Sequence, residues 1–152
     1  MKAPPRILSI AGSDSSGGAG IQADLKTVAM LGGYGMSAIT AVTAQNTLGV
    51  QAVETFAPDF VLAQVESCLA DIGADAIKIG MLGSSAIAEA LAARLDSFAG
   101  AIVFDPVMVA TSGADLADAA TIAAFAGLMD LATLVTPNLP ELAALTGQGA
   151  PA

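Results

Sequence analysis

An apolar run followed by a glycine-rich loop near the N-terminus constrains the fold most strongly. Residues 7–11 read Ile-Leu-Ser-Ile-Ala, residues 12–20 contain only Gly, Ser, Asp and Ala, and an amphipathic run then continues to Leu31. An apolar run, a loop of turn-forming residues and helical periodicity predict a buried strand, a tight turn and a helix. The sequence therefore predicts the first unit of an α/β domain.

The glycines of this loop indicate a ligand site. They allow positive φ angles and let a ligand approach the backbone, and they stand at positions 12, 17, 18 and 20. Free N–H groups at the start of the next helix favour polar or negative ligand atoms. The loop is not a Walker sequence and its spacing is not G-x-G-x-x-G. A glycine-rich connection that binds nothing is the alternative interpretation.

Predicted strands alternate with predicted helices along the rest of the chain. We expect strands at 35–46, 50–56, 75–80, 101–105 and 132–136, and helices at 58–71, 84–95, 118–129 and 139–145. In the second strand, Ile39, Ala41 and Val42 are expected to be buried. This alternation predicts an α/β fold with a mostly parallel sheet covered on both faces. Without an interior linker or a repeat, residues 1–152 are expected to form a single domain.

The composition excludes several functions. Fourteen acidic and five basic residues give a net charge of −9, which repels nucleic-acid backbones. The sequence has no histidine and one cysteine, so it lacks the parts of a Ser-His-Asp triad, an internal disulfide or a conventional zinc site. Cys68 stands at helical spacing with apolar residues and is expected to fill the core. Any catalysis must use carboxylates, hydroxyls, backbone dipoles or a bound metal.

Neither a membrane span nor a secretion signal is predicted. Apolar residues make up 55% of the sequence, but they never form about 18 uninterrupted positions. Residues 1–6 include Lys2 and Arg6 and lead directly into the first strand, without the apolar core and cleavage site of a signal peptide. We therefore expect a cytoplasmic protein.

Polar residues follow several of the predicted strands. In parallel sheets, ligands bind outside the carboxyl ends of the strands. The residues at those ends are Gly12 to Asp14, Gln45, Lys78 to Met81, Asp105, and Thr136 to Asn138. The sequence thus predicts one pocket along one edge of the sheet.

Five sequence blocks resemble a known enzyme family. GSDSSGGAGIQADLKT, from Gly12 to Thr27, is similar to the opening signature of the hydroxymethylpyrimidine/phosphomethylpyrimidine kinases of thiamine biosynthesis, members of the ribokinase-like family. The later blocks stand in that family's order and spacing: AVTAQNTLGV from Ala41, KIGML from Lys78, DPVMVATSG from Asp105 and TPNLPE from Thr136. The resemblance implies a three-layer α/β/α ribokinase-like fold.

The resemblance also implies a reaction. ATP would phosphorylate the hydroxymethyl oxygen of 4-amino-5-hydroxymethyl-2-methylpyrimidine and then the resulting monophosphate, with Mg²⁺ as the metal. The expected partner is this small pyrimidine, with no nucleic acid and no membrane. The resemblance leaves a homodimer open.

Substrate-binding residues are carried over position by position. A pyrimidine with an amino group and a ring nitrogen needs a donor and an acceptor together, and Gln45 offers both. The resemblance makes Gln45 the pyrimidine reader and places Asp24 against the substrate. Alternatively, Gln45 is a solvated amide at the end of a strand. Asp24 is alternatively a charge near the start of a helix, where the helix dipole favours it. The remaining candidates for the substrate site are Gly12, Ala19, Met81 and Val107.

The nucleotide and metal side is implied in the same way. Asp105 and Glu141 match the acidic positions of the family near the metal and triphosphate, and their oxygens suit Mg²⁺. Asn138 is the partner residue, although Asn138 and Glu141 also have the spacing of a helix capping box. Lys78 belongs either to the charge field of the phosphates or to a strand end from which its ammonium reaches solvent.

Family members continue beyond this sequence. Their later portion carries a Gly-Thr-Gly-Cys-like motif with catalytic and phosphate-stabilising groups, and no such motif follows Gly147. We therefore assign no catalytic residue within this chain and expect the C-terminal part of the family fold to be missing. Loss of a general base costs about 10²–10⁴ in rate, so we expect a truncated or split copy with little kinase activity.

Other functions stay open. A pyridoxal kinase would share the fold and the metal motif but bind a different ring. A non-catalytic pyrimidine-binding or subunit-interaction module would bind the pyrimidine without magnesium-dependent affinity for ATP. A plain fragment would expose the unpaired edge of its sheet and aggregate.

Overall fold

The computed structural model describes residues 3–110 and 113–147. Thr111 and Ser112 of the DPVMVATSG block lie outside these ranges. The described residues form β1 (Arg6–Asp14), α1 (Gly20–Met30), β2 (Tyr34–Asn46), β3 (Gly49–Thr55), α2 (Pro58–Asp71), β4 (Ala76–Ile79), α3 (Ser85–Leu95), β5 (Ala101–Phe104), α4 (Ala119–Leu131), β6 (Leu134–Val135) and α5 (Leu139–Thr146).

The strands form one sheet with the order β3-β2-β1-β4-β5-β6. Every neighbouring pair is parallel except β2 and β3, which are antiparallel. Neighbours β1 and β4 are separated in sequence by α1, β2, β3 and α2. The prediction of a mostly parallel sheet is confirmed.

Side chains alternate between the two faces of the sheet. Leu8 and Ile10 of β1 are fully buried in a core formed with α2, α3 and α4. Ser9 lies between them in the sequence and hydrogen-bonds Asp24 of α1. Since successive residues of a strand point to opposite faces, α1 covers one face and α2–α4 cover the other. This confirms the three-layer α/β/α architecture.

The larger core lies between the sheet and α2–α4. The rings of Phe104 in β5 and Phe125 in α4 meet edge to face with centroids 5.2 Å apart, which is a favourable aromatic geometry. Cys68 of α2 is half-buried and packs against this core, as predicted. Of the described helices, none is long and apolar enough to cross a bilayer.

A side chain protects the free edge of β2 before its pairing with β3 begins at Ala41. Gln64 of α2 accepts a hydrogen bond from the Ile39 N–H (2.9 Å) and donates one to the Ile39 carbonyl (3.0 Å). The amide thus replaces one residue of a neighbouring strand and satisfies backbone groups that would otherwise be unpaired.

Two expectations differ from the structure. β1 does not stop before the glycine loop but continues to Asp14, with an irregularity between Ala11 and Ser13. Ala41 is buried as predicted, but Ile39 is only half-buried and Val42 is 38% exposed, so the prediction that these two are buried was wrong. The ends of β1 and β2 extend together beyond β4, whose pairing with β1 ends at Ile79, and no core lies against Val42 there.

Candidate active site

A cavity of about 390 Å³ lies at the carboxyl ends of the parallel strands. Its volume is within the range of small-molecule sites. The structure brings all of the predicted site residues to its wall: Gly12, Ala19, Asp24, Gln45, Lys78, Met81, Val107, Asp105, Asn138 and Glu141. The cavity also contacts Thr136 and the apolar side chains of Val109 and Leu116.

The glycine loop is folded around a carboxylate. Asp14 is 4% exposed, and its oxygens accept hydrogen bonds from the backbone N–H groups of Ser16, Gly18 and Ala19 at 2.8–2.9 Å and from the Ser16 hydroxyl. Burial raises the pKa of Asp14, but these hydrogen bonds together hold it below its ordinary value. Asp14 thus takes N–H groups of the loop and of Ala19, the N-cap of α1, and not those of the first turn of the helix, which begins at Gly20.

Two glycines permit close packing of the backbone. The Gly12 N–H donates to the Met81 carbonyl at 3.1 Å, and a Cβ on Gly12 would lie 2.7 Å from the Met81 methyl carbon. Gly20 has a φ of 57°, and a Cβ there would overlap the Gly12 carbonyl oxygen. Gly20 therefore requires glycine, whereas a Cβ at position 12 would displace the flexible end of the Met81 side chain and so change the cavity wall.

Gln45 is held at the end of β2 by its backbone. The Gln45 N–H donates to the Ser15 hydroxyl oxygen and that hydroxyl donates to the Gln45 carbonyl, both at 2.8 Å. The side-chain oxygen lies 3.3 Å from the Thr43 hydroxyl, whose single hydrogen has a nearer acceptor in the Ser13 carbonyl at 3.0 Å. Within the described part of the chain, the side-chain nitrogen has no hydrogen-bond partner. The amide therefore lines the cavity with a donor available.

Three charged residues that line the cavity, Asp24, Lys78 and Asp105, lie next to one another. The Lys78 ammonium lies 3.1 Å from Asp24 Oδ2 and 3.9 Å from Asp105 Oδ2. Burial raises the pKa of Asp105, the Lys78 ammonium lowers it, and the carboxylates of Glu141 and Asp24 raise it, so that the net shift is upward. Lys78 thus stands between the two acids rather than extending into solvent.

Glu141 and Asn138 form the capping box of α5. Asn138 Oδ1 accepts from the Glu141 N–H and Glu141 Oε2 accepts from the Asn138 N–H, both at 2.9 Å. Glu141 is 6% exposed, and its Oε1 faces the Met108 N–H at 3.4 Å. The structural role that the spacing predicted is therefore present, with a carboxylate fixed at the cavity wall.

Comparison with known proteins identifies the family. The family described as phosphomethylpyrimidine kinase matches residues 14–151. The chain belongs to this family. It is 54% identical over 142 residues to the hydroxymethylpyrimidine/phosphomethylpyrimidine kinase of Rhizobium meliloti, an alignment that covers 93% of the chain and 53% of the relative. The resemblance inferred from the sequence is confirmed.

Solved structures of phosphomethylpyrimidine and pyridoxal kinases share the fold. The phosphomethylpyrimidine kinase from Clostridium difficile 630 has a TM-score of 0.87 at 46% identity, with 94% of this chain and 63% of that one covered. The pyridoxal kinase of Staphylococcus aureus, solved with pyridoxal, has a TM-score of 0.87 at 40% identity, with 99% and 55% covered. The chain spans about half the length of the curated kinase relatives it matches.

The roles of two residues in this member of the phosphomethylpyrimidine kinase family, Asp14 and Ser9, are not predicted from the sequence. Asp14 is predicted only to lie at the edge of the cavity, although an Asp followed by Ser-Ser-Gly is a signal for a turn closed by its own carboxylate. Ser9 stands within the apolar run of residues 7–11, and a hydroxyl in a strand buried on both faces requires a partner.

Proposed function

We propose that this chain supplies the pyrimidine-binding and nucleotide-binding side of a hydroxymethylpyrimidine/phosphomethylpyrimidine kinase. One observation carries the proposal: in a member of this family, one cavity of small-molecule size is lined by apolar side chains, the Gln45 amide and acidic residues that include Asp24, Asp105 and Glu141. We expect residues 1–152 alone to have little kinase activity, since no residue in them is assigned as the catalytic base.

The pyrimidine would lie between the glycine loop and the start of the segment after β5. Met81 and Val107 offer apolar contacts to the faces of a ring, and Ala19 closes the side. Gln45 provides a side-chain nitrogen as donor and Asp24 provides a carboxylate as acceptor. This set of groups is complementary to a heterocycle that carries both a ring nitrogen and an amino group.

The nucleotide side would be the acidic end of the cavity. Asp105 and Glu141 present hard oxygen atoms, which suit Mg²⁺. Within residues 3–110 and 113–147, no group of three or more His, Cys, Asp or Glu side chains forms a metal site. Mg²⁺ keeps several waters and binds through one or two carboxylates together with substrate phosphates. Bound Mg²⁺ would neutralise charge on the transferred phosphoryl group.

Lys78 and Asn138 complete this side in the proposal. Lys78 is the cationic residue among those that line the cavity, and it would offset the charge of Asp24 and Asp105 while a phosphate approaches. Asn138 holds the first turn of α5, and thereby Glu141, in place.

Calorimetry with 4-amino-5-hydroxymethyl-2-methylpyrimidine tests the substrate. We expect the chain to bind this pyrimidine and the Gln45→Ala variant to bind it at least about tenfold more weakly, because a desolvated ligand group loses its partner. Gln51→Ala is the matched control: Gln51 lies on the same hairpin, is exposed and bonds the Gly49 carbonyl. Equal affinities for all three proteins would contradict the proposed reader.

A pyridoxal kinase is the second candidate, favoured by the similarity to the Staphylococcus aureus pyridoxal kinase. The two functions differ in the ring that the cavity prefers. Titration of the same protein with pyridoxal separates them: we expect weaker binding than for the pyrimidine, and the reverse order would favour the pyridoxal-kinase function.

Magnesium-dependent affinity for ATP separates a kinase component from a non-catalytic module. We expect ATP to bind more tightly with Mg²⁺ than without it, and Asp105→Asn to reduce that difference because a carboxylate is a stronger Mg²⁺ ligand than an amide. Pyrimidine binding with no effect of Mg²⁺ on ATP affinity would indicate the non-catalytic module.

A further inference from the structure

We propose that Ser9 is a positioning residue that fixes the orientation of the Asp24 carboxylate, so that Asp24 Oδ1 is kept available for a hydrogen-bond donor of the ligand. The inference rests on the proposed pyrimidine site. It assigns a role in that site to Ser9, which does not itself line the cavity. It follows from the contacts of Ser9, Asp24 and Lys78.

Ser9 is held rigidly beneath the cavity. It lies in the middle of β1, is 2% exposed, and is paired in register with Ser37 of β2 and Lys78 of β4. Its hydroxyl donates to Asp24 Oδ2 at 2.7 Å, a distance typical of a hydrogen bond strengthened by the negative charge of its acceptor. A short side chain on a central strand has little freedom to follow the carboxylate if it moves.

Both protein donors of Asp24 reach the same oxygen. The Lys78 ammonium also contacts Oδ2, at 3.1 Å. Among the described residues, no hydrogen bond to Oδ1 is formed, and Asp24 lines the cavity with 20% of its side chain exposed. The carboxylate is therefore divided into one oxygen bound by the protein and one with free lone pairs for a ligand.

Lys78 alone would not fix this arrangement. Its ammonium is carried on a flexible four-carbon chain and also lies 3.9 Å from Asp105, so it can shift toward either acid. Among residues 3–110 and 113–147, the Ser9 hydroxyl donates to Asp24 and to no other carboxylate. Removal of the hydroxyl would leave Asp24 free to rotate with the ammonium, and the ligand donor would lose a pre-oriented acceptor.

The test uses two pyrimidines that differ in one donor group. The probes are 4-amino-5-hydroxymethyl-2-methylpyrimidine and 5-hydroxymethyl-2-methylpyrimidine, which lacks the amino group. In Ser9→Ala we expect affinity for the amino compound to fall about tenfold, the size of one hydrogen bond to a charged acceptor, and affinity for the second probe to change less than about twofold. Ser37→Ala, on the neighbouring strand in the same register, is the control and should bind both probes as the wild type does.

A second pair of variants separates the hydroxyl from packing. Thr and Val have nearly the same shape and differ by the hydroxyl, so Ser9→Thr should retain the preference for the amino compound and Ser9→Val should lose it. The same pair decides the question if Ser9→Ala does not fold. Equal loss of affinity for both probes, or the same behaviour of the Thr and Val variants, would overturn the inference.

The signal of the Asp24 side-chain carbon in ¹³C NMR gives a readout that needs no ligand. We expect it to shift in Ser9→Ala and Ser9→Val and to stay unchanged in Ser37→Ala. If the wild-type chain binds neither pyrimidine, the proposed function fails. The Asp24 signal still tests whether Ser9 positions the carboxylate. An unchanged signal in both Ser9 variants would overturn that role, whether or not the pyrimidines bind.

Discussion

The Asp14 carboxylate gives the glycine loop its shape, and Asp14→Asn removes that carboxylate with little change in size. An amide has one acceptor oxygen, whereas the carboxylate of Asp14 uses both oxygens for donors from Ser16, Gly18 and Ala19. We expect the free energy of unfolding to fall by about 1–3 kcal/mol, the cost of leaving buried donors unpaired. Urea denaturation measures this loss.

An exposed aspartate provides the control for this prediction. Asp71 ends α2 and is exposed, so Asp71→Asn should change the free energy of unfolding by less than about 0.5 kcal/mol. Pyrimidine affinity should also fall in Asp14→Asn, because Gly12 and Ala19 of the cavity wall belong to or adjoin the loop. Similar stability of the two variants would show that the loop does not depend on Asp14.

The sequence predicted which residues gather at the cavity better than it predicted their contacts. Gly12, Gln45 and Asp105 follow or end strands of one parallel sheet, and this placement alone brings them to one edge. The pairing of Asp24 with Ser9 and Lys78 depends on which side chains share a face of β1, β4 and α1. Predicting these contacts requires the register of the strands, which cannot be derived from a local sequence pattern.

Two helix caps with the same geometry allow capping to be separated from ligand binding. Asn138 caps α5 and Asp118 caps α4, each through a side-chain oxygen that accepts from an N–H three residues later. Replacing either by Ala should lower the free energy of unfolding by about 0.5–2 kcal/mol. Asn138 lines the cavity and Asp118 does not, so only Asn138→Ala should also weaken magnesium-dependent ATP binding. A similar loss of ATP affinity in Asp118→Ala would assign the effect to stability alone.

Boundaries of helices were predictable where a residue with a defined capping role stands. Pro58 is the first residue of α2, and Ser84 and Asn138 are the N-caps of α3 and α5. These helices therefore begin within one residue of the predicted starts at 58, 84 and 139. The end of β1 was not predictable in this way. Gly12 and Ser13 have low strand preference, but Ser13 pairs with Val42 of β2 and the Gly12 N–H donates to the Met81 carbonyl. These tertiary contacts outweigh local preference.

Acid weakens the connection between the first strand and the loop before β4. The side chains of Arg6 and Asp75 form a salt bridge of 2.8 Å, and hydrogen bonds from the Arg6 side chain and N–H lower the pKa of Asp75 to about 2. Since the ordinary pKa of an aspartate is about 3.9, this carboxylate stabilises the fold above pH ~4 and loses that effect as the pH falls toward ~2. The difference in unfolding free energy between wild type and Asp75→Asn should therefore shrink over that interval, and a constant difference would contradict the assignment.

The net charge of the molecule predicts an unusual dependence of nucleotide binding on salt. The chain carries a net charge of −9, and ATP with Mg²⁺ is also an anion, so their long-range interaction is repulsive. Raising the ionic strength from about 0.01 to 0.1 M shortens the screening length from about 30 to 10 Å, and the association rate of the nucleotide should increase. The neutral pyrimidine gives the control, because its association rate should not change with salt. Stopped-flow kinetics measures both rates, and slower nucleotide association at higher salt would show that the Lys78 ammonium governs the local field rather than the surrounding carboxylates.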